Sequence, residues 1–162
     1  MLGIFKKKKA AGYMLGAPAK GKAVNIQEVN DPTFSSGMLG QGVAVLPTEG
    51  KIYAPADGEI AMVFDTLHAI SMVAENGVEI LVHVGLDTVN LKGQGFEAHV
   101  KAGDSVKKGD LMLTVDLDFL KAEGYDIITP VVVCNTDEYA KVEGIFGKEV
   151  MPGDEVVEIT LK

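Results

Sequence analysis

The stretch "FDTLHAISMVAENGVEILVHVGLDT", Phe64 to Thr88, carries two of the chain's three histidines, one on either side of Asn76-Gly77. Aliphatic and β-branched runs flank a dipeptide suited to the positive φ of a tight turn, so the segment predicts a β-hairpin. With Asn76-Gly77 as a two-residue loop, Glu75 opposes Val78, His68 opposes Gly85 and His83 opposes Ile70. Side chains alternate along a strand, so Phe64, Thr66, His68 and Ile70 share a face with Leu81, His83, Gly85 and Asp87. The imidazoles are then diagonal neighbours, roughly 7–8 Å apart at the backbone, near enough for both rings to meet one small ligand. The opposite face carries Val63, Leu67, Ala69, Val82, Val84 and Leu86, apolar as a core face requires.

Working outward, the same pattern recurs. "GVAVL", "KIYA", "AMVF", "LMLTV", "TPVVV" and "EVVEITL" are short β-rich runs punctuated by 19 glycines. Such spacing predicts an all-β fold, an antiparallel sandwich of jelly-roll type built from repeated hairpins. Helical periodicity is confined to "LDFLKAEGY", ended by Gly124, and to a turn or two in "DPTFSSGML" before Gly40. "APAKGK" at Ala17 is echoed by "APADGE" at Ala54, and "VKAGDSVKKGD" near Val100 by "VMPGDEV" near Val150, as duplicated hairpin units would be. At 162 residues and 47% hydrophobic content, the chain suits one domain, residues 12–162, behind a basic N-terminal tail, residues 1–11.

Charge narrows the partners. Fifteen lysines stand against 23 acidic residues, a net charge of −8 that argues against nucleic acid. There is no arginine, so an anion must be met by lysine, imidazole, hydroxyl or backbone N–H rather than a guanidinium fork. The single Cys134, in "PVVVCN", reads as a small core residue and suits a reducing cytoplasm. No apolar run is long enough to span a bilayer. "MLGIFKKKKAA" leaves two readings open: a solvated tail, or weak contact with an anionic leaflet that would make the protein peripheral at the inner membrane surface. His99 in "FEAHVKAG" reads as an exposed residue without chemistry.

The segments "NDPTFSSGMLGQGVAV", "APADGEI", "FDTLHAISM", "VEILVHVGLDTVNLKGQGFEAHV" and "TPVVVCN" together resemble glucose-type enzyme IIA of the bacterial phosphoenolpyruvate-dependent sugar phosphotransferase system. The resemblance implies a β-sandwich whose two histidines line a shallow depression. It implies that His83 takes a phosphoryl group on Nε2 from the phosphocarrier protein and passes it to the IIB component of a sugar permease. His68 would bond the phosphoryl oxygens, and Thr66 would orient a ring nitrogen. Phe34, Leu39 and Phe64 match the family's apolar rim, and Asp31 and Asp87 its acidic pair. It further implies regulatory binding of other proteins when unphosphorylated, with zinc held between His68, His83 and a partner carboxylate in some relatives. No cofactor is required for the relay itself.

The residues agree with that chemistry. Neutral imidazole is nucleophilic near pH 7, and phosphoryl transfer needs stabilised equatorial oxygens, supplied here by His68 and by backbone N–H groups beside Gly85. Gly85, lacking a side chain, leaves open the approach of backbone to phosphate. Two alternatives stand beside the relay. A zinc-dependent hydrolase would use histidines on such hairpins but needs a third protein ligand. A lipoyl- or biotinyl-like carrier would share "GDSVKKGDLMLTVD" but needs its lysine at a hairpin tip, where "LDFLKAEG" reads as helix.

Overall fold

The computed structural model describes residues 12–162. The expectations for the basic tail, residues 1–11, lie outside the described residues. The strands are β1 (Tyr13–Gly16), β2 (Gly21–Asn25), β3 (Gln41–Pro47), β4 (Lys51–Tyr53), β5 (Gly58–Val63), β6 (Ala69–Ala74) and β7 (Glu79–His83). They continue as β8 (Phe96–Ala98), β9 (Ser105–Val106), β10 (Leu111–Val115), β11 (Thr129–Val133), β12 (Lys141–Gly144), β13 (Lys148–Val150) and β14 (Glu155–Thr160). Two short helices accompany them, α1 (Pro32–Ser35) and α2 (Leu117–Ala122). The expected antiparallel sandwich is what the chain forms. An eight-stranded sheet, ordered β13-β2-β3-β11-β7-β6-β5-β9, faces two three-stranded sheets, β1-β14-β12 and β4-β10-β8.

The main core lies between them. Leu15, Ile52, Met112, Leu113, Val157 and Ile159 from the small sheets meet Val43, Val45, Ile60, Ile70, Met72, Ile80 and Val82 from the large one. A second, smaller cluster covers the outer face of the large sheet, where Val24, Ala44 and Val132 pack under Ile26, Val29, Phe34, Leu86 and Ile128. That second layer explains why "TPVVV" is apolar without alternation: β11 is buried on both faces. Cys134 lies one residue beyond this strand and is exposed, which corrects its reading as a core residue. Its thiol is pushed above the usual range by partial burial and by the Glu79 carboxylate, so it stays protonated.

The internal echo has a structural counterpart. At Gly103-Asp104, Gly109-Asp110 and Gly153-Asp154 the glycine has φ near +90°, at 93°, 93° and 89°. In each, the aspartate carboxylate accepts the N–H three residues earlier, from Lys101 (2.9 Å), Lys107 (2.8 Å) and Met151 (2.8 Å). The two Ala-Pro-Ala segments bond each other reciprocally, Gly16 N–H to the Pro55 carbonyl (2.8 Å) and Tyr53 N–H to the Pro18 carbonyl (2.7 Å). A local pseudo-twofold relation links the two units.

The hairpin that decides the site differs from expectation by one residue. His83 pairs with Ala69 and Val82 with Ile70, not Gly85 with His68 and His83 with Ile70. The loop holds three residues, Glu75-Asn76-Gly77, closed by Ala74 N–H to the Val78 carbonyl (2.8 Å) and Gly77 N–H to the Ala74 carbonyl (2.8 Å). Gly77, at φ 91°, takes the left-handed position that ends such a loop. The slip moves Ile70 and Met72 into the core and leaves Leu81 and His83 on the outer face with the second cluster.

Candidate functional site

His83 stands half-buried on the outer face at the end of β7, near the middle of the large sheet. Strict alternation from Ile70 would send His68 to the opposite face. It does not go there, because His68 precedes β6 and follows Leu67, whose left-handed φ of 62° re-aims the chain. The turn is closed by Leu67 N–H to the Phe64 carbonyl (2.7 Å) and Phe64 N–H to the Ala69 carbonyl (3.0 Å). The two imidazole centroids are therefore 4.8 Å apart and edge to face, at 83°. The convergence expected from sequence is present, reached through a turn rather than through strand alternation.

Each ring is fixed at Nδ1. Thr66 Oγ1 lies 2.7 Å from His68 Nδ1, and His83 Nδ1 lies 2.8 Å from the Gly85 carbonyl. A carbonyl only accepts, so His83 Nδ1 carries the proton and its Nε2 bears a lone pair in the neutral ring. His68 is 4% exposed, and burial, then the neighbouring His83, lowers its pKa to about 4. His83 is also pushed down by burial, against the Gly85 carbonyl and the Asp31 and Asp87 carboxylates, which favour its cation. Both rings are accordingly neutral near pH 7, with two acids close enough to support positive charge on His83 if it develops.

The surrounding residues divide by role. Phe34 lies tilted 5.0 Å from His83, but at 3% exposure it is the floor under the ring and not an exposed rim. Helix α1 puts it there: Asp31 caps the helix by accepting Thr33 N–H at 3.0 Å, with Pro32 at the first helical position. Phe64 meets His68 edge to face at 5.5 Å and is half-buried. Leu39 packs part-exposed against the second cluster, and Asp87 is exposed. His99 is exposed, bonded through Nε2 to Thr114 (2.7 Å).

Two expectations about the Gly85 turn are corrected. The N–H groups of Val84, Gly85 and Leu86 are already bonded, to the carbonyls of His68 (2.7 Å), Ile128 (2.9 Å) and Asp126 (3.0 Å), so they do not serve phosphoryl oxygens. Nor does the missing Gly85 side chain open an approach to phosphate: at φ 74°, a Cβ would lie 2.7 Å from both the Asp126 carbonyl and the Thr88 methyl. Thr88 and Asp126 were given no part by sequence reasoning, although Thr88 lies inside the quoted stretch.

The family model for the phosphoenolpyruvate-dependent sugar phosphotransferase system, EIIA 1, matches residues 13–139. The glucose-specific EIIA component of Bacillus cereus is 46% identical over 147 residues, 90% of this chain and 89% of that protein. The chain belongs to the EIIA 1 family. This EIIA domain is a component of the phosphoryl relay of sugar uptake, which sets aside the hydrolase and carrier readings. Its fold matches glucose permease IIA from Mycoplasma capricolum with a TM-score of 0.82 at 35% identity, over 91% of this chain and 95% of that one. It is also 52% identical over 121 residues to the glucosamine-specific EIICBA component of Bacillus subtilis, of which it covers 19%. EIIA domains therefore occur fused to B and C components in one chain. No helix of the described EIIA residues is long and apolar enough to cross a membrane.

Proposed function

We propose that His83 Nε2 receives a phosphoryl group from the phosphocarrier protein and passes it to the IIB component of a sugar permease. The carrying observation is the 2.8 Å bond from His83 Nδ1–H to the Gly85 carbonyl, which leaves Nε2 as the free nucleophile. In the forward step the Nε2 lone pair forms the N–P bond as the bond from phosphorus to the donor breaks. The ring gains positive character, supported by the Gly85 carbonyl and by Asp31 and Asp87. With the Thr66 hydroxyl donating to Nδ1, His68 presents Nε2–H to the equatorial phosphoryl oxygens, a task no arginine is present to perform. The relay needs no cofactor.

The test is incubation with phosphoenolpyruvate, enzyme I and the phosphocarrier protein, followed by a IIB domain. One acid-labile phosphoryl group should appear on His83. His83→Ala should accept none, whereas His68→Gln should accept the group and pass it on slowly. Acid-stable modification, or normal acceptance by His83→Ala, overturns the assignment.

A second reading concerns the unphosphorylated state. A hydroxyl both donates and accepts, so Thr66 also permits the tautomer in which both Nε2 atoms carry lone pairs. Two such atoms fit half of a tetrahedral zinc site. Among the described residues no third His, Cys, Asp or Glu completes the set, so a regulatory partner would supply the remainder, as a carboxylate could. Zinc would act there as a bridge between proteins. Partner binding that is lost on chelation and in both His68→Ala and His83→Ala supports this reading; binding indifferent to chelation sinks it.

A further inference from the structure

In the relay reading His83 holds its proton on Nδ1, against the Gly85 carbonyl at 2.8 Å, and that carbonyl belongs to a turn bonded on several sides. Two consecutive peptide units form this turn. In a trans peptide the N–H and C=O point in opposite directions. Leu86 N–H is bonded to the Asp126 carbonyl at 3.0 Å, which turns the Gly85 carbonyl of the same unit away from Asp126 and onto His83. The preceding unit is held at both ends, Gly85 N–H by the Ile128 carbonyl (2.9 Å) and the Val84 carbonyl by the Thr88 hydroxyl (2.6 Å). Thr88 is fully buried. Its methyl abuts Gly85, where an added Cβ would come within 2.7 Å. Gly85 itself, at φ 74°, belongs to the residue type that crosses between backbone basins most freely, so the turn depends on these outside restraints.

We infer that Thr88 is a positioning residue for the nucleophile: by holding the Val84–Gly85 peptide it fixes the Gly85 carbonyl, and through it the tautomer of His83. This rests on the relay reading only for its consequence, since the tautomer can be measured without any phosphoryl donor. Loss of the hydroxyl strands a buried carbonyl and lets the Gly85 unit rotate. A His83 that has lost its carbonyl partner spends time with the proton on Nε2, where it has no lone pair to offer.

The variants are Thr88→Val, which keeps the methyl and removes the hydroxyl, and Thr88→Ser, which does the reverse. Ring nitrogen shifts of His83 should report one Nδ1–H tautomer in the native protein and in Thr88→Ser. In Thr88→Val they should report a mixture, and the phosphoryl acceptance rate should fall about tenfold, the equivalent of one buried hydrogen bond. The KM for the phosphocarrier should stay unchanged, because a fully buried residue offers a partner nothing to touch. A single Nδ1–H tautomer with normal acceptance in Thr88→Val overturns the inference. If Thr88→Val does not fold, Thr88→Ala, which also lacks the hydroxyl but adds no bulk, is read in the same way, and a His83 protonated on Nε2 in the resting native protein overturns the inference by itself. A native Nδ1–H tautomer that Thr88→Val disturbs, in a protein whose His83 takes no phosphoryl group, would remove the relay and leave the positioning intact.

Discussion

His68 is a basic group kept neutral by its surroundings. Its pKa in the folded chain, about 4, lies below the 6.5 of an unfolded histidine. In the window between those values the unfolded chain binds a proton that the folded chain does not, so stability present above pH 6.5 is lost as pH falls toward 4. The whole gap is worth about 3 kcal/mol. Urea unfolding at pH 7 and pH 4.5 should therefore show a loss that His68→Gln largely removes; equal losses in both proteins would place the acid sensitivity elsewhere. Two glycines make a second test at this scale. Gly77 and Gly85 both have positive φ, but a Cβ at Gly77 meets nothing within 4 Å whereas one at Gly85 meets two atoms at 2.7 Å. Gly77→Ala should cost about 1 kcal/mol, the conformational penalty alone. Gly85→Ala should cost at least about 2 kcal/mol more, from overpacking, and should abolish phosphoryl acceptance. Equal costs by chemical denaturation would mean that the Gly85 turn can open without penalty.

Strands and helices were legible where a pattern of several residues decides them. Short β-rich runs between glycines pointed to β3, β4, β5, β7, β10, β11 and β14, and "LDFLKAEGY" ended by Gly124 pointed to α2; the cap that starts this helix, Asp116 accepting Phe119 N–H at 3.0 Å, was not read. Register was not legible, because a two-residue loop and a three-residue loop closing on a left-handed glycine both accept Asn76-Gly77. The one-residue difference exchanges the faces of β6, and only the left-handed Leu67 brings His68 back to His83. Phe34 and Cys134 were misread for a related reason. Whether an apolar residue is floor or rim, or a residue next to a strand is still inside it, depends on the second layer that covers the sheet. The Gly-Asp turns offer a prediction at this scale. Asp110 and Asp154 hold matched N–H groups at 2.8 Å in the two related units, so Asp110→Ala and Asp154→Ala should each cost about 1 kcal/mol. A strong inequality in thermal unfolding would show that the two units do not share their load alike.

At the scale of the whole molecule, the chain carries 23 acidic residues and no arginine, and its site has Asp31 and Asp87 near His83. Electrostatic steering should then govern encounter with a basic donor. The second-order rate of phosphoryl acceptance should fall about tenfold or more from low to high salt, and Asp87→Asn should flatten that dependence. A salt-independent rate would mean that apolar contact alone brings the partners together. The small sheet on the far side of the core carries a different consequence. Tyr13 of β1 lies opposite Ile159 of β14, so the first and last strands of the described residues are hydrogen-bonded neighbours. A short linker can splice one to the other, and the ring can be reopened at the exposed Gly124, where a side chain would meet nothing within 4 Å. Such a circular permutant should fold and keep both imidazoles in place, because the order in which the strands are threaded is separable from the contacts that hold them.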